Sequence, residues 1–177
     1  MKTAQPTNVF WITGLSGAGK TTLCRKLIDH LKTTGRPVVM LDGDELREMM
    51  GATAAHTREE RVELASRYAR LCHLIAAQGV SVAIATISLF KEVHEWNRRN
   101  IQGYVEIFVD VPLEELMRRD PKKIYERASQ GVLTCVAGVD LPVDLPQSPD
   151  IHIRWSPGLS ADDAAHQIIA KLDKDFL

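Results

Sequence analysis

The sequence predicts an α/β fold: a three-layer sandwich with a central parallel sheet of about five strands, helices on both faces, and a lid loop. Three observations predict it. Short β-rich apolar runs alternate with longer amphipathic segments along the chain, the pattern of right-handed βαβ crossovers. A glycine-rich turn follows the first apolar run directly. Residues 130–149 then break the alternation with Gly131, Gly138, Pro142, Pro146 and Pro149, a long loop of the kind that serves as a lid.

Residues 9–13 are nearly continuous in β-formers, as a strand buried on both faces should be. The helix after the turn places Leu23, Leu27 and Leu31 at i, i+4 and i+8 and ends at Gly35 and Pro37. Residues 38–41 form the second strand, and a short helix is expected over 45–50. A long helix opens at Thr57, whose T-x-x-E spacing to Glu60 is a capping box. Its apolar face runs through Leu64, Tyr68, Leu71 and Ile75, and Gly79 closes it. Residues 80–87 are the third strand, 91–100 a polar helix and 105–109 the fourth strand. Pro112 sits in the first turn of the next helix, with Glu114 and Glu115 near its positive end. Residues 151–153 are a last short strand, and Ser160 caps a helix to about Lys174.

One domain over 1–177 suits the length. Hydrophobic residues make up 45% and charged residues 25%, ordinary for a chain that buries a full core. A net charge of −1 calls for neither nucleic acid nor an anionic membrane. No apolar run reaches the ~18 residues of a membrane span, and the first residues have no apolar segment or cleavage site of a signal peptide. Cys24, Cys72 and Cys135 form no CxxC pair and suit a reducing cytoplasm. The histidines share no ligand spacing with cysteines or acids, so no transition-metal site is expected.

The turn after the first strand carries the chemistry. Gly14, Gly19, Lys20 and Thr21 complete the pattern G-x-x-x-x-G-K-T, with Ser16, Gly17 and Ala18 between them. The glycines let backbone approach phosphate closely, successive N–H groups form an anion nest, and the helix adds its positive end. Lys20 reaches the β- and γ-phosphates, and the Thr21 hydroxyl can ligate Mg²⁺. The loop specifies a P-loop NTPase-type fold with Mg-ATP bound. It does not specify the reaction.

Asp42, Gly43, Asp44, Glu45 and Arg47 follow the second strand. Acids this close disfavour joint ionisation unless a cation lies between them. Asp42 is a candidate Mg²⁺ ligand with Thr21. Either acid can instead take a hydroxyl proton from an acceptor. Arg47 is placed to grip an anionic substrate. Ligands of open α/β sheets bind beyond the strands' carboxyl ends, where the phosphate loop, residues 42–44 and the pair Ile87 and Ser88 all lie.

Four segments together resemble the adenylylsulfate (APS) kinase family: residues 14–22, including Thr22; Leu41-Asp42-Gly43-Asp44-x-x-Arg47; residues 108–114; and Arg119-Asp120-Pro121-Lys122-x-x-Tyr125. Gly138-Val139-Asp140 fits as well. The resemblance covers roughly residues 8–153. It implies transfer of a phosphoryl group from ATP to the 3′-hydroxyl of a small nucleotide acceptor, and a homodimer. It implies that Asp44 acts as general base or metal organiser and that Arg47 and Arg61 hold the acceptor's anionic group. Ile87 and Ser88 would then lie beside the acceptor. Arg119, Lys122 and residues 130–146 would cover both nucleotides, with Arg119 on the ATP side.

The departures from the family pattern cluster on the acceptor side. Where the family places phenylalanines against the acceptor's base, this chain has His56 and Val136. Glu60, Leu64 and Thr134 replace the family's aspartate, asparagine and lysine. Adenylylsulfate is the nominal acceptor. A cytidine nucleotide is the alternative, because the chain also resembles the cytidine diphosphoramidate kinase branch in residues 85–88 and around Trp96. A GTPase-like switch would carry Asn-Lys-x-Asp, which is missing, and a non-catalytic module would be free to lose Lys20, Thr21 or Asp44, which are all present. Direct in-line transfer is simpler than a phosphorylated Ser88 intermediate.

Overall fold

The computed structural model describes residues 7–52 and 57–177. The N-terminal residues 1–6 and the acceptor-side candidate His56 lie outside the described residues. Five strands form one sheet: β1 (Val9–Thr13), β2 (Val38–Asp42), β3 (Ser81–Thr86), β4 (Tyr104–Asp110) and β5 (Ile151–Arg154). All pairings are parallel, in the order β2-β3-β1-β4-β5. The crossovers carry helices α1 (Lys20–Thr33), α2 (Gly43–Met49), α3 (Arg58–Ala76), α4 (Lys91–Asn100), α5 (Leu113–Arg119) and α6 (Ile124–Ser129), and α7 (Ala161–Asp175) follows β5.

β1 is the central strand and all five of its residues are buried. Alternate side chains serve opposite layers. Phe10 and Ile12 pack with Leu27, Leu31, Ile168 and Leu172 of α1 and α7, whereas Val9 and Trp11 pack with Leu64, Tyr68 and Val93 of α3 and α4. Full burial of Phe10 or Ile12 contributes about 1.5–3 kcal/mol each. The chain crosses from β3, on one side of β1, to β4 on the other, so a crevice opens at the carboxyl end of β1.

Two helix starts differ from expectation. α2 starts at Gly43, because the Asp42 side chain caps it by accepting from the Asp44 N–H at 2.9 Å. Pro112 is the residue before α5, not inside its first turn. α5 ends at Arg119 with Asp120 as its C-cap at φ +23°, and the Asp120 carboxylate caps α6 by accepting from the N–H groups of Ile124 and Glu126, each at 2.8 Å. The capping box of α3 forms as expected, with both Thr57 and Glu60 contacts present.

The segment 130–149 is largely irregular but tethered. Val136, Ala137 and Leu141 are buried, and Ala137 bridges Leu141. The Asp140 carboxylate accepts from the N–H groups of Cys135 (2.7 Å) and Val136 (2.5 Å). Asp144 is held from three sides: its N–H donates to the Leu89 carbonyl at 2.9 Å, and its carboxylate accepts from the Lys91 N–H at 3.1 Å and from Arg58 at 2.8 Å. Among the described residues, no helix is long and apolar enough to cross a membrane.

Candidate active site

The carboxyl ends of β1, β2 and β3, the start of α1, and residues of α2, α3 and the 130–149 segment enclose a cavity of about 560 Å³. The phosphate loop forms one part of its wall. Gly14, φ +152°, runs against β4 so closely that a Cβ would sit 2.5 Å from the Val109 carbonyl oxygen. Backbone cannot yield there, so only glycine fits. Gly19 precedes α1 at φ +92°, the left-handed value that turns consecutive N–H groups toward one point. Tyr125 of α6 braces the loop by donating from its hydroxyl to the Ser16 carbonyl at 2.9 Å.

Lys20 is folded over the loop and donates to the Leu15 carbonyl at 2.8 Å. Burial pushes its pKa down to about 8, with Asp44 and Asp42 pulling up and Lys122 adding to the depression. A triphosphate would supply the negative charge this ammonium lacks. The Thr21 hydroxyl donates to Asp42 Oδ2 at 2.8 Å, while Asp42 Oδ1 caps α2. The two oxygens that can hold Mg²⁺ are therefore adjacent. Hard oxygen donors beside a phosphate nest fit that ion.

Asp44 points into the same cavity and is ion-paired to Lys122. Burial raises its pKa, but the hydrogen bond and charge of Lys122, followed by Arg47 and Lys20, outweigh this and hold the carboxyl below its ordinary value. Asp44 is thus held as a carboxylate facing the cavity. The expectation that residues 42–44 gather beside the loop is met, and Asp42 serves as helix cap and Thr21 partner at once.

Arg47 and Arg61 line the cavity, and each leaves its Nε buried and without a hydrogen-bond partner. Unpaired buried guanidinium N–H groups are costly and are suited to an incoming anion. Arg61 is steadied by donating to the Cys135 carbonyl at 2.7 Å. Ile87, Ser88 and the buried Val136 lie in the same wall. Sequence reading missed two neighbours. Tyr68, assigned only to the apolar face of α3, lines the cavity and donates from its hydroxyl to the Gly43 carbonyl at 3.1 Å. Phe90, 2% exposed, brings an aromatic ring to the acceptor side. The strand-end rule that pointed to Ile87 and Ser88, extended by two residues, finds it.

Arg119 lies outside this cavity. It lines a separate slot of about 100 Å³ with Ala18, Gly19, Leu23, Val109, Ile153 and Trp155. Glu115 accepts from Arg119 Nε at 2.6 Å, and the guanidinium sits 5.9 Å from the Trp155 ring centre. The slot shares Gly19 with the main cavity, so a ligand can span the loop from one to the other. Glu115 and Trp155 were not expected from the sequence.

A family model for adenylylsulphate kinase matches residues 6–154. The cytidine diphosphoramidate kinase of Campylobacter jejuni is 36% identical over 164 residues, covering 93% of this chain and 95% of the relative. An adenylyl-sulfate kinase of Picosynechococcus is 40% identical over 144 residues, covering 81% of each. The structure of the Mycobacterium tuberculosis APS kinase CysC in complex with AMPPNP and APS superposes with a TM-score of 0.86 at 32% identity, over 96% of this chain and 99% of that one. The phosphate loop and the wall facing it thus belong to a nucleotide kinase, and the chain is a member of the adenylylsulphate kinase family.

Proposed function

We propose that this kinase transfers the γ-phosphoryl group of Mg-ATP to the 3′-hydroxyl of a small anionic nucleotide, with adenylylsulfate as the nominal acceptor. One observation carries the reading: a phosphate-binding loop and two arginines with unsatisfied buried Nε atoms share a cavity of about 560 Å³. Such a cavity takes two anionic ligands side by side. The triphosphate occupies the N–H nest of residues 14–22 with Lys20, and the base of ATP fills the slot beside Arg119. Arg47 and Arg61 hold the acceptor's anion, and Ile87, Ser88 and Val136 flank the acceptor.

Asp44 is the general base, and Lys122 is the residue that must leave it when the acceptor hydroxyl arrives. Proton removal by a positioned carboxylate contributes about 10²–10⁴-fold. Thr21 and Asp42 would hold Mg²⁺, which when bound neutralises charge on the phosphates. The remainder of the catalysis is positioning and charge stabilisation, as suits phosphoryl transfer. Residues 130–149 act as the lid. A single domain acting as a homodimer in the cytoplasm completes the reading.

A second acceptor, a cytidine nucleotide such as cytidine diphosphoramidate, is favoured by one specific feature. Val136 and Leu64 give the acceptor side aliphatic walls that suit a smaller base. Phe90 weakens that argument, because it restores an aromatic face. The deciding experiment is kcat/KM for adenylylsulfate against cytidine diphosphoramidate with purified protein and Mg-ATP. Turnover of neither would sink the reading.

A further inference from the structure

α4 carries a buried charge cluster that the proposed chemistry does not use. Glu106 lies on β4 and is 2% exposed. A carboxylate placed there must be paired and hydrogen-bonded. Its partners come from one face of α4, at the i, i+4 spacing that brings two side chains together. His94 Nδ1 lies 3.0 Å from Glu106 Oε1, and Arg98 donates to Oε2 at 2.7 Å. Arg98 also reaches Asp150 at 3.2 Å, and the Tyr104 hydroxyl donates to Glu106 at 3.4 Å. Burial raises the Glu106 pKa, but the bonds from His94 and Arg98 outweigh it and keep the group a carboxylate.

His94 has a second partner. Its Nε2 lies 2.8 Å from the Ser88 carbonyl oxygen. A carbonyl only accepts, so Nε2 donates, while Nδ1 faces the carboxylate. The ring therefore bridges two acceptors, and it is itself buried. Ser88 is an unusual residue to hold. Its φ is +27°, a left-handed value that L-residues avoid, and it is buried with its hydroxyl 2.7 Å from Thr86 Oγ1. Such a backbone persists only where its surroundings enforce it. Ile87 and Ser88 line the main cavity.

We infer that His94 is a positioning residue: by linking the Ser88 carbonyl to Glu106 through its two ring nitrogens, it holds the strained β3–α4 turn and with it the acceptor wall of the cavity. It lines neither the main cavity nor the slot beside Arg119. The functional consequence rests on the reading that this wall takes the acceptor, whereas the structural one does not.

The test uses the full chain with His94→Ala, His94→Gln and His94→Arg. Glutamine can serve one acceptor but not bridge both, and arginine has donors for each. Loss of a donor to a buried acceptor is worth about tenfold. The acceptor KM should therefore rise about that much in the alanine and glutamine variants, with the ATP KM unchanged. Hydrogen exchange should accelerate in peptides spanning residues 86–90 and not in those of β1. His94→Arg should restore both. An unchanged acceptor KM, an equal rise in the ATP KM, or exchange at 86–90 matching the wild type would overturn the assignment. If the alanine variant does not fold, glutamine and arginine variants that behave alike overturn it. If the wild type phosphorylates neither adenylylsulfate nor cytidine diphosphoramidate, the proposed function fails, and the exchange comparison alone decides the role of His94.

Discussion

The two halves of the cavity are built on different principles. The half proposed to take ATP is backbone: a run of residues from Gly14 to Thr22, contiguous in sequence, whose N–H groups are aimed by left-handed glycines and by the start of α1. The half proposed to take the acceptor is side chains: Arg47 from α2, Arg61 and Tyr68 from α3, Ile87, Ser88 and Phe90 after β3, and Val136 from the 130–149 segment. The first half is identical in logic wherever phosphate is bound, because every triphosphate presents the same oxygens. The second can change residue by residue without disturbing the first. This is why the chain resembles relatives named for two different acceptors while its phosphate loop is complete.

That contrast can be broken most severely at its shared centre. Lys20→Ala should abolish measurable phosphoryl transfer, a loss of about 10³-fold or more from removed transition-state charge stabilisation. Circular dichroism should stay native, since the Lys20 ammonium donates to the Leu15 carbonyl of its own loop and bridges no distant elements by that bond. Unchanged turnover would refute the ATP half. Asp44→Asn keeps shape and removes basicity. Its kcat should fall about 10²-fold, the scale of general-base loss, with ATP affinity little altered. If turnover survives and only Mg²⁺ affinity drops, Asp44 organises the metal instead.

The acceptor half should respond more gently and more selectively. An aromatic face against a base is worth roughly 1–3 kcal/mol, so Val136→Phe should raise the kcat/KM ratio of adenylylsulfate to cytidine diphosphoramidate about tenfold and leave the ATP KM alone. A shift in the ATP KM would show that the two halves are not separable. Residues 130–149 are proposed as a lid over both nucleotides, and limited proteolysis there should slow when both are present. Equal cleavage with and without them would remove the lid from the mechanism.

The smallest effect concerns the ion pair of Asp44 with Lys122. The Asp44 carboxyl titrates below its ordinary value of 3.8 in the folded protein. A depressed folded pKa gives stability that is present above the unfolded pKa and lost as pH falls through the folded one. Both partners are more than half exposed, so the contribution is at most about 1 kcal/mol. Lys122→Ala should therefore lower Tm by no more than a few degrees near neutrality, and the difference should begin to fade below about pH 3.8 and vanish once the folded carboxyl is protonated. A difference that persists in acid would show that Lys122 stabilises by packing instead.

Sequence by itself determined what depends on local covalent geometry and periodicity. Strand and helix alternation, the capping box at Thr57, and the glycine positions of the phosphate loop are short-range demands, and each formed where expected. Asp42 and Asp44 were recognisable for the same reason: they adjoin a strand end. Tertiary structure alone decided what depends on contacts between distant segments. Arg119, expected on the ATP side, lines a slot that β4, β5 and α7 build around it and Trp155, a setting that no local spacing reveals. Tyr68 and Phe90 look like core residues in one dimension because a cavity wall and a core face share the same apolar chemistry. Lys122 meets Asp44, 78 residues away, and His94 meets both Ser88 and Glu106. No spacing rule encodes such pairs, because side chains from different crossovers meet only where the packed sheet brings their elements together.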